Sequence, residues 1–277
     1  MKRRITTIFL VILLISGFGV MAYPWISEWV NASSQAHVIE SYQGNVSEMD
    51  TEEIAKEKLA AALYDQKEVA SSVQDPFAEE TNENEVEEGN YASILNVGET
   101  MGYLEIPKID SSLPIYHGTS ELVMEEGVGH MEGTSLPVGG LGTHCVLASH
   151  SGLPDAKLFT DLGKLAVGDK FYIHVLDEML TYQVDEIDVV LPSDTSKLEI
   201  VPGEDYVTLL TCTPTGTNTH RLLVRGVRIP NEVPDAGKQV SADKISNQTI
   251  WAIIWWVIPL MAVAFGLFAV GISRRKK

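Results

Sequence analysis

The chain has 277 residues, 38 of them Asp or Glu and 20 Lys or Arg, giving a formal net charge of −18 and including only two cysteines. That length allows one or two domains with a real core. The hydrophobic fraction of 45 % is ordinary, but Ile5 to Ala22 runs 18 residues without a charge and Thr249 to Ser273 runs 25; a helix of about 20 apolar residues is what spans a bilayer, so a soluble cytoplasmic protein is excluded.

Residues 1–22 form the first segment. Lys2, Arg3 and Arg4 precede its apolar run, and Arg274, Arg275, Lys276 and Lys277 follow the second run. Basic flanks stay in the cytoplasm, so both ends are expected inside the plasma membrane and the middle on its outer face. The first run reads equally as a retained anchor or as a signal cleaved after Val20-Met21-Ala22, which places small side chains at −3 and −1. Residues 249–273 read as a transmembrane helix, with Trp251, Trp255 and Trp256 at its outer end where indoles favour the interface, and 274–277 as a cytoplasmic basic tail. Residues 23–248 keep 13 basic side chains against all 38 acidic ones, about −25. Such a surface excludes nucleic acid, whose phosphates need cationic partners, and is repelled by anionic lipid.

Residues 23–94 are read as a helical region followed by a turn. Asp50 or Thr51 can cap a helix reaching Gln66, Glu52 and Glu53 suit its positive end, and Ala55, Leu59, Ala62 and Leu63 make one apolar stripe. Asp75-Pro76-Phe77 is a turn signal carrying an aromatic. Six of the ten residues from Glu79 to Glu88 are Glu, a solvated loop. From 95 to 232 short β-rich runs alternate with Gly, Pro, Asp and Ser. The predicted strands are Tyr103–Ile106, Leu113–Tyr116, Cys145–Ser149, Lys170–Val175, Leu180–Leu191, Tyr206–Thr211 and Arg221–Ile229, with a short helix at Asp155–Leu162. Seven or eight short strands indicate a sandwich or barrel, so the chain is mainly β. Residues 233–248 tether this domain to the second apolar run.

Three strand ends carry chemistry. One strand finishes on Cys212 and turns through Thr213-Pro214 and Gly216; the next opens on His220-Arg221, which the turn brings back beside the thiol. Another ends on Ser149-His150. A thiolate is the nucleophile of acyl transfer and nearby positive charge raises its population. Imidazole can carry a proton to a leaving amine, and guanidinium can stabilise an oxyanion. No cofactor or metal is required, and His144 and His220 show no zinc spacing. Cys145 reads as a small buried hydrophobe, and no disulfide with Cys212 is expected. Taken singly, each position also has an ordinary reading as core or surface.

Taken together they are specific. Thr208-Leu-Leu-Thr-Cys212 with Thr213-Pro214 and Asn218-Thr-His-Arg221-Leu resembles the active-site signature of sortases. Ala148-Ser-His150-Ser-Gly-Leu-Pro154 resembles the histidine segment of that family. Gly102-Tyr-Leu-Glu-Ile-Pro-Lys-Ile109, Leu113-Pro-Ile-Tyr-His-Gly118 and Gly127-Val-Gly-His-Met-Glu-Gly133 resemble its opening strands and loop. The resemblance runs from about Met101 to Pro230. Asp75-Pro76-Phe77, with the paired membrane segments, resembles the pilin-polymerising class C branch.

The resemblance implies a closed, largely antiparallel eight-stranded β-barrel with short helices, in a Gram-positive organism. It implies that Cys212 attacks the Thr–Gly bond of an LPxTG-like sorting signal on an exported pilin or surface protein. His150 would be general acid and then base, and Arg221 would hold the substrate and the oxyanion. The thioacyl-enzyme would pass to a lysine amine of another pilin subunit. Asp75, Pro76 and Phe77 would form a lid, the carboxylate pairing with Arg221 and the ring covering Cys212, braced by the Asp50–Gln66 helix. Attachment to a cell-wall precursor, as in housekeeping relatives, and hydrolysis by a thiol protease remain alternatives, because the fate of the acyl group is not visible in the residues. Ser151, Thr215 and Cys145 depart from the family pattern, which leaves substrate preference open.

Overall fold

Period-two burial marks several strands after Gly102: in Lys170–Val175 the side chains of Phe171, Ile173 and Val175 are buried and those between them are only partly covered, as a strand with one face on a core requires. The structure is a computed structural model and describes residues 2–67, 75–77 and 91–231. The glutamate run, the tether, the second apolar run and the basic tail lie outside the described residues.

Eight strands close into a barrel: β1 (Gly102–Ile106), β2 (Ser111–His117), β3 (Val128–His130), β4 (Thr143–Ala148), β5 (Lys170–Val175), β6 (Glu178–Val190), β7 (Asp205–Thr213) and β8 (His220–Ile229). Their order around the barrel is β1-β2-β3-β4-β7-β8-β6-β5. The β2–β3 and β4–β7 pairs are parallel and the other neighbours antiparallel. The expected closed barrel is therefore present. Strand β3 is not among the predicted strands because three residues, Val-Gly-His, carry no periodicity.

Strands β4 and β7 are buried on both faces, which is why they read as continuous apolar runs rather than alternations. Cys145, Leu147, Val207 and Leu209 point into the barrel core. Val146, Ala148 and Leu210 belong to a second cluster on the outer face with Met124, Met131, Leu198 and Leu223, against which Phe77 and Val190 pack.

Helix α1 spans Lys2–Glu48, far beyond the expected 1–22 segment, and continues through Pro24. A proline removes one helical hydrogen bond and its ring kinks a helix more readily than it ends one when later contacts hold the chain. Those contacts are made by the second half of α1. Asn31 Nδ2 donates to Asp155 O (2.7 Å), Gln35 Nε2 to Glu126 O (3.0 Å), and buried Tyr42 donates to Met101 O (3.1 Å) while accepting from Leu176 N (2.7 Å). Its stretch from Phe9 is long and apolar enough to cross a membrane.

Helix α2 (Thr51–Lys67) starts where expected. Asp50 Oδ1 accepts from Glu52 N (2.9 Å) and Glu53 N (2.8 Å), and Glu53 Oε2 returns the bond to Asp50 N (3.0 Å), a capping box. The face it buries is not the predicted one. Leu59 and Leu63 are exposed, and the packed residues are Ala61 and Tyr64 with Ile54 and Ala60. Polar groups decide the rotation: Glu57 Oε2 accepts from Leu95 N (2.9 Å), Asp65 Oδ1 accepts from Leu136 N (2.8 Å), and Lys58 pairs with Asp177 (2.7 Å) and Glu178. In this rotation two loop amides gain carboxylate acceptors, at the expense of leaving two leucines exposed.

The expected helix at Asp155–Leu162 is absent. Leu158 takes a positive φ of 39°, which a helix cannot contain. The segment instead turns so that Ala156, Leu158, Phe159 and Leu162 are all buried, with only a 3₁₀ turn at Leu162–Lys164. A different short helix, α3 (Glu121–Glu126), begins after Ser120, whose Oγ accepts from Val123 N at 3.4 Å.

Candidate active site

Register places the thiol and the guanidinium together. In the β7–β8 pair, Cys212 lies directly opposite Arg221. Both share strand parity with Leu210 and Leu223 of the outer cluster, so both project to the outer face of the barrel. His150 reaches the same face from the loop after β4, the parallel neighbour of β7. Ser151 Oγ donates to Cys212 O (2.8 Å) and ties that loop to the thiol strand. Gly152, at φ 77°, lets the loop pass the turn after β7: a Cβ there would collide with Thr215 Cγ2. Two of the positions that depart from the family pattern therefore meet here, Ser151 as a tie and Thr215 as a wall.

The Asp75-Pro76-Phe77 turn lies against Arg221 and His150. Arg221 Nε donates to Asp75 Oδ1 (2.8 Å) and its NH2 to Asp75 Oδ2 (2.6 Å). The fork is bidentate, and side-chain exposures of 7 % and 9 % make it a buried pair rather than a screened surface one. Arg221 NH1 also donates to Asn218 O (2.9 Å) and His220 O (3.2 Å), so the guanidinium is held by β8 as well as by the turn. The Phe77 ring lies 5.1 Å from the guanidinium carbon and 5.6 Å from the His150 ring centre. All six residues singled out in the sequence thus converge.

One charged neighbour is absent from the sequence-based expectations. Glu121 Oε1, at the first position of α3, lies 3.4 Å from His150 Nε2. That is close enough for attraction but misaligned for a hydrogen bond, and the buried Nε2 has no such partner among the described residues. Glu121 is 73 % exposed, so solvent weakens its pull. The signal for α3 is present in the sequence as a serine cap followed by an acidic first turn.

Burial raises the Cys212 thiol above its ordinary range; Arg221 opposes this, while Asp75 and Glu121 add to it. The guanidinium that favours a thiolate at Cys212 is at the same time the hydrogen-bonding partner of Asp75. Cys145 is the contrasting case. It is fully enclosed in the barrel core, and its thiol is pushed well above the usual value by burial and by the carboxylates Asp65 and Asp205. His130 is likewise enclosed. Its Nε2 faces Ser135 O (2.9 Å) and its Nδ1 faces Tyr91 Oη (2.7 Å), and burial lowers it to about 4. Neither faces the outer cleft.

Comparison with known proteins agrees with the fold. The sortase domain model matches residues 104–229. A sortase C-1 structure from Streptococcus pneumoniae is 48 % identical, with a TM-score of 0.67, over 70 % of this chain and 98 % of that one. The chain belongs to the sortase family. A pilus-related sortase C of Group B Streptococcus is 45 % identical, with a TM-score of 0.65, over 69 % of this chain and 96 % of its own. Sortase A of Bacillus anthracis is 26 % identical over 227 residues, covering 81 % of this chain and 95 % of the relative. This sortase is accordingly a cysteine transpeptidase, and its solved neighbours of high identity are class C enzymes. Its N-terminal apolar helix suits the membrane association of such enzymes.

Proposed function

We propose that this sortase cleaves an LPxTG-like sorting signal between Thr and Gly and joins the new carboxyl end to a lysine amine of another pilin subunit, building covalent pili. The Cys212 thiolate attacks the threonine carbonyl carbon, and Arg221 stabilises the oxyanion. The C–N bond then breaks as His150 donates its proton to the leaving glycine amine. A thioester remains on Cys212. The neutral lysine amine attacks it, His150 takes the amine proton, and the thiolate leaves.

The observation that carries the reading is the bidentate Asp75–Arg221 pair with Phe77 lodged between Arg221 and His150. On this reading the carboxylate and the apolar ring stand where an extended peptide would bind. The class C neighbours, one of them described as pilus-related, support pilin as the substrate. The expected setting is the outer face of the plasma membrane with both termini inside.

The test is incubation of the full chain in detergent with an LPxTG-type peptide, with and without a lysine-bearing peptide, products being followed by mass. A Cys212-linked acyl adduct that passes to the lysine amine is expected. Water as the only productive acceptor would make the enzyme a hydrolase, and transfer to a cell-wall precursor amine in preference to lysine would make it a housekeeping-type enzyme.

A further inference from the structure

The contacts of α1 along the barrel set which end of the domain meets the membrane. Asn31 and Gln35 bond to Asp155 O and Glu126 O. Asp155 sits five residues after His150, and Glu126 ends the helix that begins with Glu121 beside the imidazole. Tyr42 bonds to Met101 and Leu176. Those residues lie at the opposite end, where β5 turns into β6 and Val175 pairs with Glu178. Helix α1 therefore runs down the side of the barrel, with its N-terminal part at the mouth that holds Cys212, His150 and Arg221.

The apolar stretch leads directly into that mouth. Tyr23, Trp25 and Trp29 are exposed on α1, as an aromatic belt at a bilayer surface would be. Asn31 follows Trp29 by two residues, about 3 Å of helix rise, and Gln35 follows by six, about 9 Å. Leu122, on α3 beside the Gln35 contact, is 73 % exposed. Pro24 lies before Trp25, on the membrane side of Asn31, Gln35 and Tyr42. Bending there tilts the domain without changing which end faces down.

The geometry points to a membrane-facing active site: the mouth of the barrel lies against the bilayer surface, and this sortase selects sorting signals held on a short tether to a membrane-embedded segment. The inference rests on the reading of α1 as a retained anchor. It adds a distance criterion to substrate choice, because a signal carried far above the bilayer would have to fold back beneath the domain to reach Cys212. The acidic residues at the mouth, Glu121, Glu125 and Glu126, match a neutral lipid surface rather than an anionic one.

The test uses the full chain in phosphatidylcholine vesicles bearing a headgroup acceptor dye. A donor dye is placed at Glu125→Cys, near the mouth, or at Leu141→Cys, which is 84 % exposed beyond the start of β4 at the far end. The two sites differ in height by about 20 Å, given strand rise and barrel tilt. Energy transfer is expected to be several-fold stronger from position 125; equal transfer, or stronger transfer from 141, overturns the inference. Flotation with the vesicles is scored separately, and a chain that does not float refutes the anchor reading itself.

A second arm inserts seven helical residues after Trp29, lifting the barrel about 10 Å with little rotation. Processing of a model protein with an LPxTG-type motif directly before its membrane span should fall at least about tenfold. It should recover when the substrate tether is lengthened by three or four extended residues, while turnover of a soluble peptide stays unchanged. Unaltered processing of the short-tether substrate by the lengthened enzyme sinks the proposal. Loss of soluble-peptide turnover in the unmodified enzyme would instead count against the proposed function.

Discussion

Cys145 and Cys212 lie on two strands that pair with each other, yet they occupy opposite chemical worlds. Cys145 pairs in register with Val207 and points into the barrel; Cys212 lies five residues further along β7 and points out. Burial raises both thiols, but only Cys212 has a guanidinium across the ladder to oppose it. Cys145 has Asp65 and Asp205 in its field instead. The difference teaches that burial alone makes a cysteine inert. What sets Cys212 apart is a cation directly across the ladder, itself paired with a carboxylate from a short turn.

The largest break in this comparison is expected from Cys212→Ala, which should abolish the covalent adduct with an LPxTG-type peptide by mass. Cys145→Ala should leave the adduct yield intact and cost about 1 kcal/mol of stability for the small cavity. An adduct persisting in the Cys212 variant would overturn the assignment of the two roles. Arg221→Ala is expected next, with a fall in kcat of about 10²–10³ for the lost oxyanion donor. Arg221→Lys should rescue it only in part, since an ammonium lacks the planar fork; full rescue would reduce the residue to a point charge.

Smaller effects should come from the turn. Asp75→Ala and Phe77→Ala are each expected to speed alkylation of Cys212 several-fold. Asp75→Ala should also move the labelling curve to lower pH, because it removes a neighbour that raises the thiol and frees Arg221 to lower it. Unchanged rates and an unmoved curve would remove the inhibitory reading of the turn. The smallest effect concerns the Cys145 side. Burial raises Asp65 to about 6 from an ordinary 3.8. The native state therefore holds this proton more tightly than the unfolded chain, and the group's contribution to stability falls as pH rises from 4 to 6. Asp65→Asn should remove that fall and gain roughly 1–3 kcal/mol at pH 7 by denaturant unfolding. A wild-type slope unchanged in the variant would count against the buried carboxylate.

Much of the fold and of the site is legible in the sequence. Strong β runs such as Lys170–Val175 and the thiol strand announce themselves through alternation or continuous burial, and Asp50 with Glu53 announces the start of α2. Arg221 opposite Cys212 follows from the length of the turn between them. The buried face of α2 is not legible in this way: Leu59 and Leu63 look like a stripe, while the polar side chains that turn the helix bond to loop amides far away in sequence. Asp155–Leu162 misleads for a related reason, since its apolar residues are buried by the surroundings and not by one helical face.

By itself the sequence determined the mainly β class, the apolar N-terminal segment, the six residues that converge and the family they resemble. These depend on local patterns: periodicity, caps and motifs that need few distant partners. Only the tertiary structure decided that the Asp75 carboxylate engages Arg221 through both of its oxygens, where Glu121 stands and along which side α1 descends. Those outcomes depend on closure of the barrel, which sets the parity of every strand and brings together groups as far apart as Asp75 and Arg221, 146 residues distant in the chain.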